Sequence, residues 1–265
     1  KNINNKMVEY KLIINESIYD LRDLVYEKIL IFSDNDINQS ECDYRKELNP
    51  VRYQGKLGTC FAHSAACMKE WQERRDYNFK GYFSPQFLYN NRDYWNNDIP
   101  DGIDPNEDYG MTGRDVMKIL KKLGICKEED YPYGFNERAN EISQEILEKA
   151  KKNVISKYAK IITLDGLKHS LLKNGPCLIT MPVYNYGKKM WRKENNSKLI
   201  GGHAMTVVGF KDNKFILRNS WGENWGDEGY TYYDFNDWGA HWEIWTTIDK
   251  KEDEININNN CCIIV

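Results

Sequence analysis

Three separated segments of the chain combine a cysteine, a histidine and amide side chains. They read Gln-Gly-Lys-Leu-Gly-Thr-Cys-Phe-Ala around Cys60, Gly-Gly-His-Ala around His203, and Arg-Asn-Ser-Trp-Gly around Asn219. The thiolate is the nucleophile and a free cysteine has a pKa of about 8.5, so at neutral pH the thiol needs an imidazole beside it. His203 follows Cys60 by 143 residues, and Asn219 follows His203 by 16. The chain must therefore fold so that these distant segments meet at one sulfur.

The three segments resemble the papain family of cysteine peptidases (cathepsin-like, C1 type). That family has Gln-Gly-x-x-Gly-Ser-Cys-Trp-Ala around the nucleophile, then a downstream histidine, then Asn-Ser-Trp-Gly. Thr59 and Phe61 stand here in place of the serine and the tryptophan. The spacing lies within the roughly 130 to 150 residues typical of the family. Shorter stretches extend the resemblance from about Asp43 to about Thr247.

The resemblance implies an α+β, papain-like two-lobed fold, with a helical left lobe, a β-barrel-like right lobe and the active-site cleft between them. The expected peptidase domain is 43–249, divided into a helical lobe 43–152 and a β lobe 153–249. Sequence patterns agree with this division, since helices are predicted from Cys60, over 84–90 and over 113–123. Short strands separated by Gly, Asn and Asp are predicted over 178–183, 204–208, 214–218 and 230–233.

The resemblance also implies a role for each residue of the site. Cys60 is the expected nucleophile, at a helix N-terminus whose positive end favours the thiolate, and His203 is the expected base and acid. Asn219 would orient the second ring nitrogen of His203, and Trp221 would cover that pair. The side-chain amide of Gln54 would help to stabilise the oxyanion. Two alternatives stay open: a catalytically inactive homologue that acts as a binding protein, and a peptide ligase or transamidase that uses the same acyl-enzyme.

Substrate preference is less evident from the sequence. Gly110, Ala204 and His241 fall near the expected walls of the pocket that, in the family, selects the residue one before the cleaved position. We expect a hydrophobic preference there. No His-His occluding insertion is present, which favours endopeptidase cleavage. His63, on the helix of the nucleophile, is expected to be a packed core histidine, and Phe61 to alter catalytic efficiency.

Residues 1–42 form an N-terminal extension ahead of the expected domain. Ser17, followed by Asp20 three residues later, predicts a helix start, and Ile18, Leu21, Val25 and Ile29 would give that helix an apolar stripe. In the family such an extension commonly lies backwards over the cleft as an inhibitory pro-segment until it is cut. We expect that role here and the zymogen state it implies, with a simple packing extension as the alternative.

The polar, Asn-rich tail 250–265 is expected to be loosely held. Its last four residues, beginning at Cys262, fit the C-a-a-X pattern of prenylation, although valine is unusual at the last position. The alternative is an apolar end that packs as a strand.

Composition narrows the classes of partner and cofactor. The net charge of −3 comes from dispersed acidic and basic residues, so no nucleic acid is expected. The longest apolar runs are far shorter than the roughly 18 residues of a membrane span. No cofactor or metal is expected, because none of the four histidines has metal-ligand spacing from a cysteine pair. The expected partners are peptide or protein substrates, and the expected state is a monomer.

The placement of the seven cysteines bears on the compartment. The usual bridge of the family begins at the position of Leu57, and the matching stretch near Tyr109, Gly110 and Met111 also lacks a cysteine. The missing bridge favours a cytoplasmic or otherwise reducing setting, whereas the resemblance favours a lysosomal, vacuolar or secreted one. Cys67, Cys126 and Cys177 are expected to be small buried hydrophobes.

Overall fold

Two hydrophobic cores divide the chain into a helical lobe and a sheet lobe. The structure, a computed structural model, describes residues 12, 14–29, 39–93, 108–134, 142–194 and 196–249. The first core is built mainly from helical residues between Cys60 and Ile155 and also includes Leu178, Ala204 and Trp245 of the sheet. The second core lies almost wholly in the sheet lobe and includes Tyr26 from the N-terminal extension.

The helices are α1 (Tyr26–Ile29), α2 (Cys60–Tyr77), α3 (Pro85–Asn90), α4 (Gly113–Lys122), α5 (Gln144–Lys151) and α6 (Leu164–Asn174). The strands are β1 (Ile14–Asn15), β2 (Cys42–Asp43), β3 (Met111–Thr112), β4 (Lys157–Lys160), β5 (Cys177–Val183), β6 (Gly201–Lys211), β7 (Lys214–Arg218), β8 (Tyr230–Asp234) and β9 (Ile244–Ile248). Short 3₁₀ turns follow β2 and β8, at Arg45–Glu47 and Phe235–Asp237.

Local chemistry explains where the helices of the first lobe begin and end. The first thirteen residues of α2 are all buried, and the helix ends where Asn78 adopts a left-handed φ of 55°. Helix α3 has proline at its first position, and the Ser84 hydroxyl accepts a hydrogen bond from Phe87 N. Thr112 caps α4 in the same way. The helices predicted from Cys60, over 84–90 and over 113–123 are therefore confirmed.

The second lobe is built on a seven-stranded sheet with the order β4-β9-β5-β6-β7-β8, in which β2 also pairs with β6. β5 and β6 are antiparallel, and their register places Met181 opposite His203. A bulge between Val207 and Gly209 interrupts the pairing of β6 with β7. All four predicted strands of this lobe are present. The two-lobed, papain-like α+β fold is therefore confirmed. Within the described ranges the sheet does not close into a barrel, so 'barrel-like' describes the second lobe only approximately.

The N-terminal extension differs from its prediction. Residues 17–24 are not helical, and among the described residues of the extension only the four of α1 are. The Ser17 hydroxyl donates to Glu243 Oε1 at 3.1 Å and accepts at 3.0 Å from the backbone N–H of Arg114, at the start of α4, so it caps no helix of its own segment. Ile18 and Leu21 of the expected stripe are exposed. The helix prediction was wrong because contacts with distant residues hold the segment in an irregular conformation.

Two further expectations fall beyond what the structure describes. The tail 250–265, with Cys262, lies outside the described residues, as does most of 1–13. None of the helices in the described ranges is both long and apolar enough to cross a membrane.

The cysteines that are described are free thiols, and Cys67, Cys126 and Cys177 are buried as expected.

Candidate active site

Cys60 is the first residue of α2 and is only 1% exposed. Thr59, the residue before the helix, makes no side-chain cap, so the first backbone N–H groups of α2 keep their positive partial charge around the sulfur. Ala204, next to His203 on β6, lies in the same core cluster as Cys60, and its backbone N–H acts to lower the pKa of the thiol. The fold thus brings the first two sequence segments together.

The imidazole of His203 is held by the third segment. Its Nε2 lies 2.6 Å from Asn219 Oδ1, which also accepts a hydrogen bond from Ser220 N at 2.7 Å. The amide oxygen is an acceptor, so this contact places the ring proton on Nε2 and leaves Nδ1 with a lone pair. The ring of Trp221 packs on the imidazole with centroids 4.5 Å apart. The contacts expected for Asn219 and Trp221 are therefore both present.

Burial controls the charge state of the pair. It raises the pKa of Cys60 to about 12, which the backbone N–H groups of Ala204 and Phe61 only partly offset. It also lowers the pKa of His203 to about 4, against the opposing effect of the Asn219 hydrogen bond. In this arrangement the pair is a neutral thiol and a neutral imidazole at neutral pH.

Gln54 lies in a loop that is tied to the segment of Asn219. Its Oε1 accepts from the Ser220 hydroxyl at 2.6 Å, and its Nε2 donates to Leu57 O at 2.8 Å. The backbone N–H of Gln54 donates to Ser220 O at 2.8 Å. A carboxamide has two N–H donors, so the second N–H of Gln54 is not used by the Leu57 contact.

Tyr133 is a contributor that the sequence analysis did not single out. Its hydroxyl donates to Gln54 O at 2.7 Å and lies 2.7 Å from Thr59 Oγ1. One phenol therefore holds both ends of the loop that leads into Cys60. The ring also packs edge-on against His63, whose Nδ1 lies 3.0 Å from Thr59 O. His63 is 6% exposed, as expected for a packed histidine.

A carboxylate connects the two segments in which the family bridge is missing. Gly58 N lies 3.1 Å and 3.0 Å from the two carboxylate oxygens of Asp108, which also accepts from the Tyr89 hydroxyl. A Cβ on Gly58 would come within 2.8 Å of Asp108 Oδ1, so a larger residue at that position would have to displace the carboxylate. These hydrogen bonds hold the loop before Cys60 against the loop that carries Gly110.

The three expected pocket residues occupy different surroundings. Gly110 is buried with a positive φ of 81°, and its N–H donates to Tyr89 Oη at 3.2 Å. Ala204 is fully buried in the first core together with Cys60. His241 packs in an aromatic cluster of the sheet lobe, with Tyr233 and Trp238. Among the described contacts, none joins His241 to either of the other two.

The N-terminal extension reaches both sides of this site. Ile14 pairs in parallel with Met111 in β3, the strand that follows Gly110. Gly202, the residue before His203, donates its N–H to Leu12 O at 3.3 Å. A Cβ on Gly202 would lie 2.3 Å from Ile14 Cγ1, so the Ile14 side chain rests directly on the start of β6. Ile14 also packs on the core cluster that contains Cys60.

Comparison with known proteins places this geometry in a family. The sequence profile described as papain family cysteine protease matches residues 38–263. An uncharacterized peptidase C1-like protein of Acanthamoeba polyphaga mimivirus is 31% identical over 198 residues, which are 67% of this chain and 61% of that protein. Cathepsin K of Mus musculus is 28% identical over 211 residues, which are 71% of this chain and 57% of cathepsin K. The chain thus spans about three fifths of the length of these relatives.

Solved structures agree with the sequence comparison. Xylellain, a cysteine protease from Xylella fastidiosa, superposes with a TM-score of 0.76 at 25% identity, covering 90% of this chain and 96% of its own. Digestive procathepsin L 3 of Tenebrio molitor larval midgut has a TM-score of 0.61 at 20% identity, with 79% and 70% coverage, and shares the fold. With its profile match over most of the sequence, this chain belongs to the papain family of cysteine proteases.

Proposed function

We propose that the chain is a cysteine endopeptidase in which Cys60 and His203 form the reacting pair. The observation that carries this proposal is the 2.6 Å contact between His203 Nε2 and Asn219 Oδ1, on a strand whose next residue, Ala204, packs in the same core cluster as Cys60. That contact leaves the other ring nitrogen of His203 as a base on the same strand that meets the thiol. An inactive homologue would have no chemical need for this combination.

The first step is proton transfer from the Cys60 thiol to Nδ1 of His203. The product is a thiolate and an imidazolium, which are stabilised by each other and, for the thiolate, by the N-terminus of α2. Asn219 keeps the ring in the orientation that this transfer needs, and Trp221 shields their hydrogen bond from water. In the closed arrangement burial opposes both charges, so ion-pair formation requires an opened, hydrated cleft.

The thiolate then attacks the carbonyl carbon of a peptide bond, and the carbonyl oxygen becomes an oxyanion. The backbone N–H of Cys60 and the second Nε2 proton of Gln54 are the proposed donors to that oxygen. As the C–N bond breaks, His203 gives its Nδ1 proton to the leaving amine. The same imidazole then deprotonates a water molecule, which attacks the thioester and releases the acid and the thiol.

The substrates we propose are peptides or proteins with an apolar residue one position before the cleaved residue. Gly110 and Ala204 are buried beside the nucleophile and present no polar side chain, which suits such a residue. His241 is the less supported member of the proposed pocket, because its described ring contacts lie within the sheet lobe.

We further propose that residues 1–42 are an inhibitory pro-segment of the peptidase domain 43–249. Its contacts on both sides of the cleft, at Met111 and at Gly202, support this role, as does the burial of Cys60 and His203 to 1% exposure. The parallel pairing of β1 with β3 also suits this role, because a segment that runs backwards over the cleft can occupy it without being cut.

Hydrolysis of a fluorogenic peptide library tests the proposed reaction. Wild-type protein should cleave peptides internally, Cys60→Ala should be inactive, and Asn219→Ala should lose about 10²-fold in kcat because the base is no longer oriented. An added amine nucleophile should not divert most of the product; if it did, the ligase alternative would be correct. Turnover by a folded Cys60→Ala variant would exclude Cys60 as the nucleophile.

A further inference from the structure

Within residues 12 and 14–29, the N-terminal extension has two parts that are bonded to the rest of the protein, and an exposed loop joins them. We call residues 12 and 14–17 the plug, residues 18–22 the loop and residues 23–29 the clasp. We propose that the loop is a proteolytic processing site, and that the clasp remains a permanent part of the enzyme after cleavage. This inference rests on the proposed inhibitory role of the extension, narrows the removable part to the residues before the clasp, and specifies how the inhibition ends.

The beginning of the clasp is fixed by buried charge. Asp23 Oδ2 lies 2.5 Å from Arg114 Nη2, and the two side chains are only 10% and 11% exposed. Lys160 adds a second cation 3.7 Å from the same carboxylate, and its backbone N–H donates to Leu24 O at 2.8 Å. The clasp is therefore bonded through both its side chains and its backbone to β4 and α4.

Tyr26 and Glu27 anchor the clasp in the sheet lobe. Tyr26 is 2% exposed and belongs to the second core, where its hydroxyl accepts from Asn174 Nδ2 at 2.8 Å. Glu27 Oε1 accepts from the backbone N–H groups of Ile162 and Thr163 at 3.0 Å and 2.8 Å. Removing the clasp would open a hole in the core and expose the polar groups that begin α6.

The loop has the opposite character. Ile18, Tyr19 and Leu21 are 78%, 81% and 86% exposed, the most exposed large apolar side chains among the described residues. The Asp20–Arg22 ion pair and the bond from Asp23 N to Asp20 O are local, and Arg114 holds only the carbonyl of Ile18. Since little packing is lost when such a loop opens, it should unfold locally into the extended form that proteases bind.

The plug is weakly held once it is separated from the clasp. Its described attachments are the two-residue strand β1, the packing of Ile14 on the start of β6, the bond from Gly202 N to Leu12 O, and the contacts of Ser17 with Glu243 and Arg114. While it is tethered, these few bonds act at an effective concentration in the mM range. Once the tether is cut, the same bonds must hold a separate peptide, which dilution removes.

Cleavage is an ordinary hydrolysis and needs no co-reactant except water. Water adds across one amide between Ser17 and Asp23. This leaves a carboxylate on the fragment that contains the plug and an amine on the fragment that contains the clasp. The mature chain would thus start at one of residues 18–23 and would retain Tyr26. Any endopeptidase that accepts apolar side chains can make this cut, a second copy of this enzyme included.

Limited digestion of the full-length Cys60→Ala variant by thermolysin, followed by intact-mass analysis, locates the first cut without self-digestion. The first product should begin between Ile18 and Asp23 and should still contain Tyr26 after prolonged digestion. A double variant, Ile18→Gly with Leu21→Gly, should be cut at a rate at least about tenfold lower than that of the parent. The control variant Leu24→Gly, changed in the clasp, should be cut at the parental rate. A first cut beyond Ile29, or equal rates for all three proteins, would overturn the proposal.

The same cut made in the wild-type chain, with thermolysin then stopped by a chelator, tests whether release of the plug activates the enzyme. Peptidase activity and labelling of Cys60 by an epoxide inhibitor should both rise about tenfold or more as the plug dissociates. Equal labelling and activity before and after the nick would refute the tethered plug while leaving the peptidase assignment intact. A nicked chain that never labels at Cys60 would instead refute the proposed peptidase, and with it this regulation.

Discussion

Mild acid should destabilise the intact chain, because three of its described histidines are held as neutral imidazoles by burial. Burial lowers the pKa of His203 and that of His241 to about 4 each. Burial, with the nearby cations Arg52 and Arg218, lowers that of His63 to about 3. An unfolded histidine has a pKa of about 6.5, so below that pH the unfolded chain binds protons that the folded chain does not.

The size of the effect follows from these values. All three histidines are neutral well above pH 6.5 in either state, so their full stability is present there, and it is lost as the pH falls towards 4. Each histidine contributes a slope of up to about 1.4 kcal/mol per pH unit, which integrates to about 1.4 kcal/mol between pH 7.5 and pH 5.5. The three together should lower the free energy of unfolding by about 4 kcal/mol over that interval. Glu70, whose pKa burial raises, can only act in the opposite direction.

Urea unfolding of the Cys60→Ala chain at the two pH values measures this loss. In a His63→Gln variant, which retains a polar group of similar size, the loss between the two pH values should shrink by about a third. Comparing the variant with its parent removes the contributions of Glu70 and of the surface carboxylates. A free energy of unfolding that does not change between the two pH values, or an unchanged loss in the variant, would refute the burial argument.

Three further substitutions test other parts of the account. Tyr133→Phe removes the bond to Gln54 O, so kcat should fall about tenfold with KM little changed, as steady-state kinetics would show; equal loss in both constants would argue against positioning. Glu27→Ala removes the acceptor at Thr163 and should lower the free energy of unfolding by about 1–2 kcal/mol, whereas Glu27→Gln should retain most of it. Gly175 has a φ of 89° and its Cβ would lie 2.1 Å from a tryptophan ring, so Gly175→Ala should lower the melting temperature clearly.

The parts of the fold that follow from local sequence were predictable. The buried run after Cys60 and the Ser84-Pro85 start of α3 specify helices through nearby residues alone. Strand β7 was predicted at its observed bounds, because its apolar residues are enclosed by turn-forming ones. The contact between His203 and Asn219 was predictable for a different reason, namely the resemblance of spaced motifs.

Long-range partners explain what the sequence did not reveal. Ser17 has the sequence context of a helix cap, but its hydroxyl bonds to Glu243, which is 226 residues away. Asp108 and Tyr133 have no local pattern that marks them, since each acts only where two loops meet beside Cys60. Such roles depend on tertiary contacts, and these override the local preferences of the chain.

Active-site labelling of the intact and the nicked chain by an epoxide inhibitor of papain-like enzymes, followed by peptide mapping, tests the central claim most directly. The account predicts modification confined to Cys60, slow in the intact chain and faster once the plug has been cut away. The buried cysteines Cys67, Cys126 and Cys177 serve as internal controls and should stay unmodified. No labelling of Cys60 in either form, in protein shown to be folded, would contradict the assignment of this chain as an active cysteine peptidase.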